Sequence, residues 1–409
     1  METGEQPEVG RRGFLGASAL ASAAGLLPAA LRAQTASAAG VKPADLPDLT
    51  IKAVKVYATA TGRLASIAAA SGAEGICTLQ TRVFHANWDN SGWLSYAQRT
   101  LIGKNALDHL QFTSQYSPVR RHYGQPPEAG GIDICLWDLI GKAVGLPVYR
   151  ILGAYKDRVP AYASSQHLPA KTPDAYVEAA LKAKAEGFKA FKINPPPVSP
   201  ADGDSHYRLD MEICRALRKA VGDDFDLLHH GVGNYSRSQA MEVGRLLDEL
   251  HFRGFEDPLP STDIDGHAQL CAALRTPVIV GEFLFSLYEY PEYLRRGAAG
   301  ALRFVVDNVG GITPGVKIGV LAECHGMECM PHGVGNVLHQ AAHLHCELAM
   351  PNSAFVEVPY PQGARDAQPY MKDTVRIASD GCVHAPVKAG LGYEIDRAAL
   401  DKAITSVER

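Results

Sequence analysis

At 409 residues, with 46% hydrophobic and 21% charged residues, the chain is long enough for one large and one smaller domain and has the make-up of a soluble globular protein. A formal net charge of −4 gives no electrostatic case for nucleic acid or an anionic membrane surface. The eight cysteines (Cys77, Cys135, Cys214, Cys271, Cys324, Cys329, Cys346 and Cys382) form no CxxC pair and no zinc-ribbon spacing, and read as reduced core residues.

Residues 1–40 carry Arg11-Arg12-Gly13-Phe14-Leu15, an alanine-rich apolar run to Leu31 and an Ala36-Ser37-Ala38 cleavage site. That order is a twin-arginine-type export signal, so the mature protein is expected to be periplasmic or extracellular. The run is too short, and too soon interrupted by Arg32, to span a bilayer. LTIKAVKVYATA then predicts a first strand, a polar glycine-containing segment follows, and CTLQTRVF predicts a second strand by alternation. ANWDNSGWLSY, with Trp88 and Trp93, reads as loop. Its aromatics either line a pocket or pack between domains. Helical periodicity runs through LIGKNALDHLQFT and GIDICLWDLIGKAVG; in the latter Ile132, Leu136, Leu139, Ile140 and Val144 make a stripe that Gly145-Leu146-Pro147 stops. From Arg158 to CMPHG near His332 short apolar strands alternate with helices, for example FKAFKIN, DMEICRALRKAVG, FDLLHHG and SRSQAMEVGRLLDELH. No GxGxxG or Walker sequence interrupts them, so a (β/α)8-type barrel is the expected α/β fold.

Between Gly187 and Glu357 single polar residues sit at or just past the ends of these strands: Lys192, Asn194, His230, Glu256, Glu282, Asp307, His332 and Glu357. His230 to Glu256 and Glu256 to Glu282 are each 26 residues, close to the roughly 30 of one barrel repeat. Strand ends of such a barrel build its active site. Glu256 and Glu282 offer the converging oxygens that a hard divalent cation needs. Such a cation would hold a substrate carboxylate and stabilise the charge left when the neighbouring C–H is deprotonated. Lys192 would add positive charge or act as base, and His332 would be its partner across the pocket. His229 and His230 alternate on one strand and so point to opposite sides. His339, His343 and His345 read as packing or surface groups, and Tyr162 is a weak pocket candidate.

Together these motifs resemble the mandelate racemase and muconate lactonizing branch of the enolase superfamily. IDICLWDLIGKAVGLPVYRILG, GFKAFKIN, FEDPLP, VGEF, DNVGGIT, MPHG, HLHCELAMPNSAFVEV and GLGYEID carry the likeness in order over nearly all of the mature chain. The resemblance implies an N-terminal α+β capping domain over 48–157, a barrel over 158–385, and a segment 386–409 that packs back on the capping domain. It implies a homo-oligomer acting on a small carboxylate, with no nucleic-acid or membrane partner in the mature form, and substrate selection by loops around 59–75 and 85–95. Carried over, Glu256 and Glu282 are metal ligands, with His230 at the first ligand position; Lys192 is catalytic or electrophilic, His332 is general base or acid, and Glu357 lies beside the substrate carboxylate or leaving group. Asn194 stands where many members have a second lysine; KxN is similar to galactonate dehydratases, and LLHHGVGN and GGIT are similar to mannonate dehydratases.

The expected activity is therefore dehydration of an acid sugar or related hydroxy acid through an enediolate. The alternatives are a racemase, epimerase or cycloisomerase, or a metal-depleted binding protein. Magnesium is the family's metal. His230 replaces the family's first aspartate, and imidazole suits manganese, iron or zinc better, so the metal differs, binds weakly or is absent. Val232 and Val305 also stand where the family has polar residues, leaving Asp307 as either a displaced partner of His332 or a bystander.

Overall fold

Two sheets of opposite character divide the chain. The computed structural model describes residues 47–79, 91–113, 129–195, 205–333, 335–363 and 368–408. The expected leader, Trp88 and most of the 85–95 loop lie outside the described residues. β1 (Ile51–Thr59), β2 (Gly62–Ala69) and β3 (Glu74–Leu79) form an antiparallel meander, and the C-terminal strand Ile404–Glu408 adds antiparallel to β1. The turn at Gly62, where φ is +129°, starts β2. β2 replaces the loop expected over 59–75: its residues Leu64, Ala65, Ser66 and Ile67 are all buried, so alternation is missing and the strand is silent by periodicity.

Helix α1 (Ser91–Leu101) takes Trp93 out of the expected loop, whereas the helix expected over 101–113 breaks into a turn at Ala106–Asp108 and a short segment Leu110–Thr113. Asn105 causes the break, its side chain accepting from the Leu107 N–H. Helix α2 (Ala129–Val144) is buried on nearly every side rather than along one stripe, and only Val144 of the predicted five is exposed. Two buried aspartates tie it down: Asp133 accepts from the Thr313 backbone and hydroxyl, and Asp138 accepts from the Ile76 and Leu391 N–H groups.

The second sheet is parallel. β4 (Arg158–Ser164), β5 (Ala190–Ile193), β6 (Asp226–His230), β7 (Gly254–Glu256), β8 (Val278–Val280), β9 (Ala301–Leu302) and β10 (Val356–Pro359) run in the order β10-β4-β5-β6-β7-β8-β9. Cys329 extends the path by a parallel bridge to Leu302, and the Met330 and His332 N–H groups donate to Leu302 and Phe304. This is the (β/α)8-type architecture; among the described residues no ladder is recorded between the Cys329 segment and β10. β11 (Cys382–His384) pairs antiparallel with β4. Between strands run helices such as α3 (Pro173–Ala185), which Thr172 caps, and α4 (Ser205–Val221). α5 (Arg237–Glu249) opens on a Ser236/Gln239 capping box. α6 (Ile312–Cys324) and α7 (Val337–Ala349) complete the wall behind the last strands.

One small apolar cluster decides where the chemistry sits. Tyr162, Ala190, Leu228, Ile279, Ala301, Met330 and Phe355 pack together inside the parallel strands, apart from the main core. Side chains two residues apart on a strand share a face. Ala190, Leu228, Ala301, Met330 and Phe355 therefore place Lys192, His230, Arg303, His332 and Glu357 one layer further along the same interior, toward the carboxyl ends.

Candidate active site

Register brings the polar layer together. His230 stands opposite Glu256 across β6 and β7, Ser164 opposite Lys192 across β4 and β5, and Glu357 opposite Tyr162 across β10 and β4. Lys192 Nζ lies 3.1 Å from both Glu256 oxygens and 2.7 Å from Glu357 Oε1. His230 Nδ1 is 3.6 Å from Glu256 Oε1 and 3.3 Å from Asn194 Oδ1, and its Nε2 is 3.5 Å from Glu282 Oε2. His332 Nε2 reaches within 3.5 Å of Glu282 Oε1. Asn194 is held by donating from Nδ2 to Ser164 Oγ at 2.9 Å. Seven of the eight strand-end residues named from the sequence thus meet at one end of the barrel, Asp307 being the exception.

One further residue does so without having been expected. Arg303 is fully buried, with Nε 2.9 Å from Glu256 Oε1 and 3.9 Å from Glu282 Oε2, and Nη2 bonded to Glu357 Oε2. Nη1 donates to Tyr162 Oη at 3.1 Å and to the Met330 carbonyl at 3.2 Å. The close packing extends to the backbone: Gly281 has φ +132°, and a Cβ there would overlap the Arg303 carbonyl oxygen. A signal was present in ALRFVVDN, where a lone arginine interrupts a buried strand two residues after Ala301. Asp307 in fact pairs with His339 Nε2 and not with His332. His343 and His345 are also buried packing groups, His343 Nε2 accepting from the Val306 N–H at 2.9 Å and His345 Nδ1 from the Tyr149 N–H at 3.0 Å.

The charges settle into two tight pairs. Burial opposes ionisation of Glu256 and Glu357, but Arg303 and Lys192 override it, holding Glu256 down to about 2 and Glu357 well below its usual range. Burial likewise opposes the Arg303 charge, and Glu256 and Glu357 keep it firmly protonated. Glu282 goes the other way: burial and then Glu256 push it well above the carboxylate range. Burial lowers His230 to about 4 and His332 well below its ordinary value, so both rings are neutral near pH 7. Asp257, pushed up to about 7 by burial and by Glu256, accepts from the Gly281 and Glu282 N–H groups at 3.2 and 3.3 Å and so fixes the Glu282 backbone.

His230, Glu256, Asp257 and Glu282 each offer a ligand atom within 4.8 Å of the others. The fit to a divalent ion rests on two atoms: His230 Nε2 and Glu282 Oε2 are buried, lack hydrogen-bond partners and lie 3.5 Å apart. Native proteins rarely leave buried polar groups unpaired. A cation satisfies both at once, and a nitrogen with two carboxylates suits a borderline metal at least as well as magnesium.

Residues 175–399 match the family model described as "Enolase C-terminal domain-like", and the chain belongs to the mandelate racemase and muconate lactonizing branch of the enolase superfamily. Among curated relatives, L-talarate/galactarate dehydratase of Salmonella typhimurium is 33% identical over 226 residues, covering 55% of this chain and 54% of that protein. D-galactonate dehydratase of Xanthomonas oryzae pv. oryzae is 32% identical over 285 residues, 67% of this chain and 72% of the relative. The chain spans little more than half the length of the first of these. The solved D-glucarate dehydratase from Agrobacterium tumefaciens, complexed with magnesium, is 27% identical, covers 88% of this chain and all of its own, and superposes with a TM-score of 0.74.

Proposed function

We propose that the protein is a metal-dependent dehydratase of acid sugars or related hydroxy acids, working through an enediolate. The observation that carries this is the pairing of a lysine and a neutral histidine around one ligand cluster: Lys192 contacts Glu256, and His332 contacts Glu282. The curated relatives named above are dehydratases of galactonate and of talarate and galactarate, which supports acid sugars as the substrate class.

His230, Glu256 and Glu282 would hold the ion, manganese, iron or zinc being favoured over magnesium by the imidazole. When bound, it supplies fixed positive charge for the substrate carboxylate. Lys192, ion-paired with two carboxylates, contributes further positive charge where the enediolate develops. His332, neutral and with Nδ1 unpartnered, takes the alpha proton and then returns it to the departing beta hydroxyl, so that water leaves and the proton count closes. Asn194 is positioned by Ser164 to bond a substrate hydroxyl. The arginine pair Arg11-Arg12 supports an exported mature form.

The test is a panel of aldonic and aldaric acids with manganese or magnesium, read by hydrazone formation from the keto acid product. Keto acid from at least one acid, lost in His332→Asn, is expected. Alpha-proton exchange in deuterated water without loss of water would instead make the protein an epimerase or racemase. No exchange on any acid would end the enzyme reading.

A further inference from the structure

Asn194 lies one residue past β5, and the ladders that hold β5 stop before it: the last registered pairs are Ser164 with Lys192 and His229 with Ile193. Among the described residues its main chain takes part in no backbone–backbone hydrogen bond. The sequence that follows, Pro195-Pro196-Pro197, has no N–H to offer a neighbouring strand. Side chains do the holding instead. The Asn194 N–H donates to Ser165 Oγ at 2.9 Å, and its carbonyl accepts from Tyr176 Oη and, at 3.4 Å, from Lys171 Nζ. Lys171 also donates to the Ser165 carbonyl at 3.0 Å and to the Gln166 carbonyl at 3.4 Å, so one ammonium ties the end of β4 to the end of β5. Burial lowers it to about 8, which leaves it charged near pH 7, and a charged donor makes the stronger bond. Lys171 precedes the Thr172 cap of α3 and Tyr176 lies near the start of that helix, so both donors come from the connection that leaves β4.

We propose that Lys171 is a positioning residue for the reaction: with Tyr176 it clamps the Asn194 carbonyl, and so aims the Asn194 amide at a hydroxyl of the substrate. This role rests on the dehydratase reading, in which Asn194 bonds that hydroxyl. The other end of the residue makes the aim matter. Nδ2 already donates to Ser164 Oγ at 2.9 Å, and Oδ1 lies 3.3 Å from His230 Nδ1. A side-chain amide has two N–H donors and two acceptor sites, so one of each is left for the substrate, and a shift of the main chain carries both away from it. The hydroxyl is bound alike before and during the reaction, so loosening the clamp weakens substrate binding more than it slows the chemistry.

The experiment compares the full chain with its Lys171→Met and Lys171→Arg variants, by amide hydrogen exchange without substrate and by turnover of D-galactonate and galactarate with Mn2+. Lys171→Met should speed exchange of the Asn194 N–H about tenfold, with the Phe191 N–H inside the β5 ladder unchanged. It should also raise KM about tenfold with kcat per folded molecule nearly kept. Lys171→Arg, which keeps a charged donor, should hold both quantities near those of the parent. If Lys171→Met does not fold, Tyr176→Phe removes only the other donor to the same carbonyl and should show the same two changes. Unchanged exchange at Asn194, equal acceleration at Phe191, or, in an active chain, a lower kcat with KM unchanged would overturn the proposal, since each is what a lysine that only stabilises the fold would give. A chain whose exchange responds as stated but which dehydrates no acid keeps the clamp and loses the activity. A chain that makes keto acid while Lys171→Met leaves exchange and KM unchanged does the reverse.

Discussion

His229 and His230 are neighbours on one strand, both buried, both neutral, and built for opposite purposes. His229 faces the helices. Its Nε2 lies 2.8 Å from Tyr235 Oη, which donates to Asp210 at 2.5 Å, and its Nδ1 lies 3.9 Å from Cys214 Sγ. Since the Tyr235 proton goes to Asp210, His229 must donate from Nε2, and both ring nitrogens are used. His230 faces the barrel interior and leaves Nε2 without a partner beside an equally unpartnered Glu282 oxygen. The difference teaches how to tell structure from function in a buried imidazole: the His229 ring has both nitrogens used by the fold, and the His230 ring keeps one open beside a carboxylate oxygen that is open too.

The largest expected effect lies on the open side. His332→Asn removes the group that moves the proton, and turnover should fall by about 10²–10⁴-fold with the melting temperature nearly unchanged. Assay of keto acid beside thermal melting checks both, and a large drop in stability would place His332 with the closed networks instead. On the closed side the readouts exchange. His229→Leu leaves the Tyr235 oxygen without its donor and the Cys214 thiol without its acceptor, and should cost about 1–3 kcal/mol in denaturant unfolding, with turnover per folded molecule largely kept. A variant that melts like the parent yet loses activity would show that the outer network feeds the site.

A third histidine sharpens the contrast through pH. His343 accepts from the Val306 N–H at Nε2, and its Nδ1 lies 2.9 Å from the His339 carbonyl, to which it donates. Burial, then its neighbour His339, lowers it to about 3. A histidine depressed in the folded state contributes stability that is present above its unfolded pKa of about 6.5 and drains away as pH falls toward the folded value. The stability gap between the parent and His343→Asn should therefore be widest above about pH 6.5 and narrow by about 1.4 kcal/mol per pH unit below it. Urea unfolding at two pH values on either side of 6.5 measures this. A gap that widens in acid would mean that the ring is charged when buried.

What the sequence showed and what it hid divide along the same line. Lys192, His230, Glu256, Glu282, His332 and Glu357 were legible because each is a polar residue ending an apolar run, and strands repeat at even intervals. The barrel was legible for the same reason. β2 was not, because burial on both faces erases the alternation that marks a strand. Arg303 was not, because a charge inside an apolar strand has meaning only once the carboxylates that neutralise it are known to converge there, and pairs between strands are long-range facts. The partner of Asp307 was hidden likewise: the His339 it meets lies on a helix, where histidine spacing points only to packing.

The smallest effect tests whether the open side carries a cost in its backbone as well as in its side chains. Val232 lies two residues after His230, with φ at +54° in the left-handed region, and is 36% exposed. A β-branched residue is poorly suited to that conformation, which costs an L-residue about 1–2 kcal/mol. Glycine adopts it freely but loses more backbone entropy on folding, about 0.5–1 kcal/mol. Val232→Gly should therefore gain about 0.5–1 kcal/mol in unfolding experiments, the difference of the two. The strain persists because the turn is held by hydrogen bonds from Gly231 N–H to the Glu256 carbonyl and from Gly233 N–H to the Asp257 carbonyl, both at 2.7 Å. Those bonds tie the end of β6 to the end of β7, and so hold His230 against Glu256. If Val232→Gly gains stability while Mn2+ affinity stays the same, the strain is incidental to the site. If the stability gain comes with weaker Mn2+ binding, the valine is what keeps the first ligand aimed.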